Sequence, residues 1–383
     1  MLIASGQAQT KASIGRATGL PRSSISSDVE YLMRRGVLKK EGPMMLDRGR
    51  PAEQLTISPD LGVCLVADIG VAHGILSIAD LSMNLLLQRR FDTDLRLLSP
   101  LEYLTSLAQH FWDMFNDLPH MSRRIAICVL GLPARIDVQQ NFAVRPPNIP
   151  QWDAFDVVTA LSGLLECPVI LEDDANLRAL GEAIYLAKEQ RPIFAVKIGT
   201  GIGAGIVDEG GSIFHGYDGA AGEIGHIPIS KGSKVVCGCG KVGCLEAVAS
   251  VTGMINRLHA AAPDSTAQTV EDLISLVRAG DSVAKQIVHE SGLAIGEVLA
   301  SMCNAINPRR IVVSGLITQV SDNFLADIRT SVYQRARPLA TRNLIVSYSA
   351  IGELAGTYGA MALGIRSALG PGRFGRVIDE SHH

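Results

Sequence analysis

Between Gly219 and Glu246 the chain reads Gly-Ala-Ala-Gly-Glu223-Ile-Gly-His226 and then Cys237-Gly-Cys239-Gly-Lys-Val-Gly-Cys244-Leu-Glu246. Three of the seven cysteines fall within eight residues, spaced Cys-x-Cys-x4-Cys, and His226 stands eleven positions upstream. Three thiolates and one imidazole make a closed tetrahedral shell for zinc, a structural site, because no position is left for water. Gly238, Gly240 and Gly243 let the backbone turn tightly enough for Cys237, Cys239 and Cys244 to converge with His226 on one ion. The plainer alternative is a set of small buried thiols beside a satisfied loop histidine, but glycine alternating with cysteine resembles neither a core strand nor a core helix. Glu223 and Glu246 flank the segment, so a metal here would pin a loop with a carboxylate at each end, the form of a ligand pocket.

A second group is Leu171-Glu-Asp173-Asp174-Ala-Asn176. Successive carboxylates at a strand end can ready a base to take a hydroxyl proton, and the same letters can equally cap a helix N-terminus. A third is a pair of glycine turns. Ala67-Asp-Ile-Gly70 and Val196-Lys-Ile-Gly199-Thr200-Gly201-Ile-Gly203 share one form, a strand, a glycine turn and a strand. Such turns bring backbone N–H groups close to anionic oxygens, although the run alone is as often a simple tight hairpin.

The elements that must carry these residues follow from periodicity. Strand patterns at 62–70, 74–80 and 85–91 form an antiparallel meander, and a helix is expected over 101–115. A strand follows over 124–130, a helix over 153–165 and a strand over 168–171, so the fold class is α/β. The repeated glycine turns suggest two lobes of related build, the duplicated actin-like (ribonuclease H-like) architecture of sugar kinases. The start of the chain differs in character. A short helix over 10–18 stops at Gly19, and a second begins after Leu20 with Pro21 in its first turn and Ile25, Val29 and Leu32 on one face. Its other face carries Arg22, Ser23, Ser24, Ser26 and Ser27, which suit phosphate and base-edge contact in a major groove. A strand-like exit leads to Asp47-Arg48-Gly-Arg50-Pro51, a basic hairpin tip able to follow a phosphate track or enter a minor groove. Together these predict a winged helix-turn-helix; its alternative role is contact with another protein. A winged helix opens with a full first helix, and only Met1–Ser5 precedes here, so that helix is short or the native start lies further upstream.

Composition sets the bounds. The 383 residues imply two or three domains, read as 1–58, 59–172 and 173–383. Net charge is −3, but residues 1–60 hold nine basic and six acidic side chains, +3, leaving −6 elsewhere: a basic head on an acidic body. Cys64, Cys128, Cys167 and Cys303 sit singly in apolar runs and read as buried thiols, so no disulfide framework is indicated and a reducing cytoplasm fits. No export signal or eighteen-residue apolar span is present, so no membrane partner is expected.

Taken together, Gly222-Glu-Ile-Gly-His226, the Cys237/Cys239/Cys244/Glu246 cluster, Gly199-Thr-Gly-Ile-Gly203 and Asp174-Ala-Asn176 resemble the ROK family of repressors, open reading frames and kinases. The head with Gly49-Arg-Pro51 is similar to its transcriptional-regulator branch. The resemblance implies sugar contacts at Asn148, Asp173, Asp174, Glu223, His226 and Glu246, with Asp174 on the catalytic base of the kinases. It also implies nucleotide phosphates near Gly70, Gly199, Thr200 and Gly201. His226 could bind zinc through one ring nitrogen and offer the other to the sugar. The departures matter. Family kinases resemble Asp-x-Gly-Gly-Thr-Lys at the first turn, and Asp68-Ile-Gly70-Val-Ala-His73 lacks that glycine, hydroxyl and charge. Phosphoryl transfer depends almost wholly on positioning, so losing those contacts weakens it.

The expectation is therefore a cytoplasmic regulator that binds operator DNA as a homodimer or homotetramer and senses a sugar in the cleft between the lobes. The rival is a sugar kinase with ATP and magnesium that keeps a DNA head.

Overall fold

The computed structural model describes residues 2–4, 7–44, 52–118, 124–137, 139–232 and 234–370. The chain divides into two compact units, one of residues 1–132, 155–172 and 360–383, the other of residues 133–154 and 173–359.

The first unit opens with α1 (Lys11–Thr18). Thr10 caps it, accepting the Ser13 N–H while its own N–H donates to Ser13 Oγ, and Gly19 ends it at φ 70°. In α2 (Arg22–Arg34) Ile25 and Val29 are buried; Arg22, Ser23, Ser24 and Ser27 are exposed and Ser26 is half-buried. β1 (Leu38–Met44) pairs antiparallel with β2 (Ala52–Ile57). Arg48 and Arg50, expected at the tip of this hairpin, lie outside the described residues. Leu2–Ala4 form a turn rather than a helix, and Leu2 and Ile3 line an apolar groove of about 270 Å³ with Ile14, Leu20, Ile25 and Val29. Among the hydrogen bonds that tie the head together are Leu55 N–H to Gln9 O at 2.7 Å and Ser58 N–H to Val37 O at 2.8 Å.

Only residues 58–62 separate β2 from β3 (Val63–Ile69), and three of them are a 3-10 turn capped by Ser58. β3 is buried at every position, pairing antiparallel with β4 (Gly74–Asp80), which in turn pairs with β5 (Leu85–Phe91). α3 (Pro100–Asn116), capped reciprocally by Ser99 and Glu102, leads to β6 (Ile125–Leu132), parallel to β3. β7 (Ile136–Asp137) and β8 (Phe142–Ala143) are a two-stranded excursion belonging to the second unit. The chain returns through α4 (Val157–Leu165), packed on α3, to β9 (Val169–Asp173), completing the sheet order β5-β4-β3-β6-β9. The helix expected from residue 153 starts four residues later. Ala154 turns through φ 55°, and the Asp156 carboxylate caps the Thr159 N–H at 3.0 Å.

The second unit starts at α5 (Asp174–Tyr185), which lies on β10 (Ile193–Ile198) and its antiparallel partner β11 (Ile202–Val207). A helical layer follows: α6 (Leu245–Ala249), α7 (Val251–Ala261), α8 (Val270–Ala279) and α9 (Ser282–Ile306). β12 (Arg310–Ser314) runs parallel to β10, then α10 (Asp322–Arg335) packs along α9. α11 (Pro338–Thr341) and β13 (Ile345–Tyr348), parallel to β12, precede α12 (Leu354–Ala368). The sheet order is β11-β10-β12-β13. Phe194, Val196, Ile198, Leu245, Ile295, Leu299, Phe324 and Ile328 are at the centre of one continuous apolar core. α5 and α12 touch backbone to backbone, since a Cβ on Gly181 would stand 1.9 Å from Ala355 O and one on Gly359 1.8 Å from Leu177 O. Among the described residues no helix is long and apolar enough to cross a membrane.

Candidate metal centre and the carboxylate pocket beside it

The loop between β11 and α6 folds back on itself through two isolated bridges, Pro228 with Cys244 and Val236 with Val242. Within it the Cys237 N–H donates to Lys241 O at 2.8 Å and the Gly240 N–H to Cys237 O at 2.9 Å, a tight turn that presents neighbouring sulfurs to one point. One ligand atom from each of His226, Cys237, Cys239 and Cys244 lies within 4.8 Å of every other. Cys239 Sγ and Cys244 Sγ are 3.7 Å apart, as are Cys237 Sγ and His226 Nδ1. A tetrahedral zinc with bonds near 2.3 Å to sulfur and 2.0 Å to nitrogen has edges of about 3.8 and 3.5 Å, so the donor set fits that ion. The thiols are free rather than bridged. Burial and the adjacent sulfurs push the Cys244 thiol up to about 12, and burial also raises Cys237. As three thiolates this close they would need a cation to offset their charge, and its binding would displace the thiol protons.

Glu223 and His226 sit on the same short segment, a 3-10 turn over Ile224–His226 pressed onto β11. The pressing is why both flanking residues are glycine: a Cβ on Gly222, at φ 96°, would fall 2.0 Å from Ala204 O, and one on Gly225 2.2 Å from Ile202 O. With Nδ1 of His226 toward the sulfurs, its Nε2 faces Glu223 Oε2 at 3.6 Å. Glu246, two residues beyond Cys244, accepts the Ile202 N–H through Oε2 at 2.9 Å and fills the space a side chain at Gly201 would need. The metal loop and the β10–β11 turn are thereby joined through one carboxylate. Thr200, at the tip of that turn, is exposed, and the Gly199 N–H closes it on Gly201 O at 2.9 Å. In the first unit Gly70 closes the β3–β4 turn in the same manner, its N–H donating to His73 O at 2.8 Å. Asn148 is exposed in the turn before Trp152, and its neighbour Pro147 lies against Gly238 of the metal loop.

Asp173 takes the helix-capping role that the sequence left level with a chemical one. Asp173 caps α5, accepting the Ala175 N–H at 2.9 Å and the Asn176 N–H at 3.2 Å. Asp174, the first residue of the helix, is 5% exposed, and its Oδ2 accepts from Lys197 Nζ. Two cations absent from the sequence-derived list thus belong to this cluster. Arg135, just beyond β6, donates through Nε to Glu223 Oε1 and through Nη1 to Ala221 O at 3.1 Å, and the same Nη1 is 3.6 Å from Asp173 Oδ2. Burial pulls its pKa down, but Asp173, Glu223 and Asp174 more than offset that and raise it overall. Arg135 and Lys197 were detectable only as lone charges in apolar surroundings, Gly-Leu-Pro-Ala-Arg-Ile and Phe-Ala-Val-Lys-Ile.

The sequence profile of the ROK family matches residues 64–367. This chain belongs to the ROK family. A glucokinase of Halalkalibacterium halodurans is 32% identical over 243 residues, covering 60% of this chain and 73% of the relative. A xylose repressor of Bacillus spizizenii is 27% identical over 365 residues, 94% of this chain and 92% of the relative. That alignment is too long to omit residues 1–63, so the ROK repressor match, unlike the family profile, takes in the head. The solved structure of a ROK family transcriptional regulator, a homolog of the E. coli MLC protein, superposes with a TM-score of 0.81 at 22% identity, covering 99% of this chain and 96% of that one. The α/β actin-like fold of ROK sugar kinases and regulators is therefore the fold of this protein.

Proposed function

We propose that the protein is a sugar-responsive transcriptional regulator, acting as a repressor, in which α1, α2 and the β1–β2 hairpin form a winged helix-turn-helix and the carboxylate cluster of the second unit holds a neutral sugar. The observation that carries this reading is the joining of two features in one chain: a helix whose exposed face is Arg22, Ser23, Ser24 and Ser27, and the carboxylates Asp173, Asp174, Glu223 and Glu246 near the four candidate metal donors, His226 among them. Carboxylates accept hydrogen bonds from vicinal hydroxyls, and zinc held by His226, Cys237, Cys239 and Cys244 would fix the loop that presents Glu223 and Glu246. The likeness to a named xylose repressor along nearly the whole chain supports the same role. The regulator works in the cytoplasm as a homodimer or homotetramer, two heads reading half-sites about one helical turn apart. Asn148 completes the sugar contacts, and Arg48 and Arg50 add contacts to DNA.

The test has two arms. Thermal shift against a panel including D-xylose and D-glucose must show at least one sugar that raises the melting temperature, as any ligand of the folded form does by mass action. Fluorescence anisotropy with the protein's own upstream DNA must show binding that weakens steeply with salt and changes when that sugar is added. Absence of both would remove the reading.

The second reading is an ATP-dependent sugar kinase with magnesium and Asp174 as base, favoured by the likeness to a glucokinase. Against it stand the first turn, Gly70-Val-Ala-His73, without a hydroxyl or cation for phosphates, and the partner that Asp174 already has.

A further inference from the structure

β10 is apolar along Ile193–Ile198 except at Lys197, whose side chain is 25% exposed. A cation is costly in such a strand unless it is paired, and its partner is Asp174 Oδ2. The backbone makes room for the pair. Lys197 stands opposite Gly203 across the β10–β11 ladder, and a Cβ on Gly205 would lie 2.5 Å from Ala175 O. The start of α5 therefore rests directly on β11 and sets its first residue over the lysine. Asp173 caps α5 through Oδ1 and has Arg135 beside Oδ2, whereas Asp174 meets Lys197 through Oδ2 and has Oδ1 to offer a ligand.

We propose that Lys197 is a positioning residue that stops Asp174 from acting as a base, so that the pocket holds a sugar hydroxyl without activating it. This rests on the sugar reading above. In transfer from ATP, the sugar oxygen forms a bond to the γ-phosphorus, the bond from that phosphorus to the departing ADP oxygen breaks, and the hydroxyl proton goes to the base. With the ammonium held on Oδ2, a proton from the hydroxyl would have to be taken up beside a fixed positive charge, which opposes the transfer. A hydrogen bond to Oδ1 leaves the hydroxyl its proton, so recognition is kept. The ion pair turns an enzyme-like pocket into a sensing one. Because Lys197 is held by Asp174, it is not placed to meet a phosphate, and a phosphate-binding role is the competing outcome.

The experiment compares the full-length wild type with Lys197→Met, Lys197→Arg and the double variant Lys197→Met/Asp174→Asn. Protein in excess is mixed with ATP, magnesium and either D-glucose or D-xylose, and sugar phosphate is detected by mass spectrometry; thermal shift establishes which forms hold the sugar. The wild type and Lys197→Arg should give background signal. Lys197→Met should give at least tenfold more, since a working general base contributes about 10²–10⁴-fold, and the added Asp174→Asn should abolish it. Lys197→Gln replaces the methionine variant if that one does not fold, under the same criteria. A variant that holds the sugar and transfers no more phosphate than wild type overturns the proposal, as does a wild type that transfers phosphate and is slowed by Lys197→Met. If no sugar shifts the melting of any form, the sensing reading fails and this proposal falls with it.

Discussion

Cys239 and Arg135 hold neighbouring parts of one loop by different means, and substitutions separate them. Cys239→Ser removes a thiolate from a set that has no spare ligand; metal content measured by mass spectrometry should fall by at least half, with the sugar-induced melting shift falling alongside it. An unchanged zinc content would mean that the four side chains do not form the shell. Arg135→Met leaves Glu223 and Asp173 without their shared cation. A fully buried broken pair costs about 3–5 kcal/mol, and because Glu223 keeps access to water the expected loss is about 2–3 kcal/mol in denaturant unfolding. Arg135 and Lys197 also mark where sequence reasoning stopped. The four proposed metal ligands fall within 19 residues and their spacing is itself a signal, whereas Arg135 meets Glu223 across 88 positions and Lys197 meets Asp174 across 23. No local pattern encodes such pairings, because the fold creates them. The two aspartates were ambiguous for a related reason: capping and ligand contact ask for the same side chain, and only the backbone direction at Asp173 separates them.

At the scale of elements, the strands and helices were legible where periodicity was long, as in β3, α3 and the strand pair around Gly199. The helix expected from residue 153 was misjudged at its start, because a left-handed residue at Ala154 followed by the Asp156 cap is a choice between local conformations that apolar spacing does not report. The close crossing of α5 and α12 gives a sharper test. A methyl at Gly181 would collide with the Ala355 carbonyl, and overpacking of this kind costs about 1–3 kcal/mol. Gly181→Ala should therefore lower the melting temperature by roughly 2–12 °C for a unit of this size. A melting point unchanged within a degree would mean the helices are not in backbone contact. On α2, Arg22 is exposed at the first helical position and has no apolar role. Arg22→Ala should weaken operator binding with a salt slope shallower by about one, while leaving thermal unfolding unaltered; loss of folding instead would place Arg22 in the head's packing.

For the molecule as a whole, the join between head and body governs how a signal can travel. β2 passes into β3 through residues 58–62 alone, Ser58 bonded to Val37 behind it and Val63 to Arg124 ahead, while Thr56 Oγ1 lies 3.2 Å from Ser82 Oγ on the β4–β5 turn. The joint is short and hydrogen-bonded on both sides. On the proposed function, a rotation of the first unit's sheet would be delivered to α2 as angle, in the way a stiff axle carries torque that a cord would lose. Ten glycine and serine residues inserted between Ser58 and Pro59 should leave sugar affinity and single-head DNA affinity near their original values yet cut the sugar's effect on full-operator binding by about tenfold, read by anisotropy with and without sugar. An undiminished response would mean that the sugar acts on DNA binding by changing subunit association, with the stiffness of the joint playing no part.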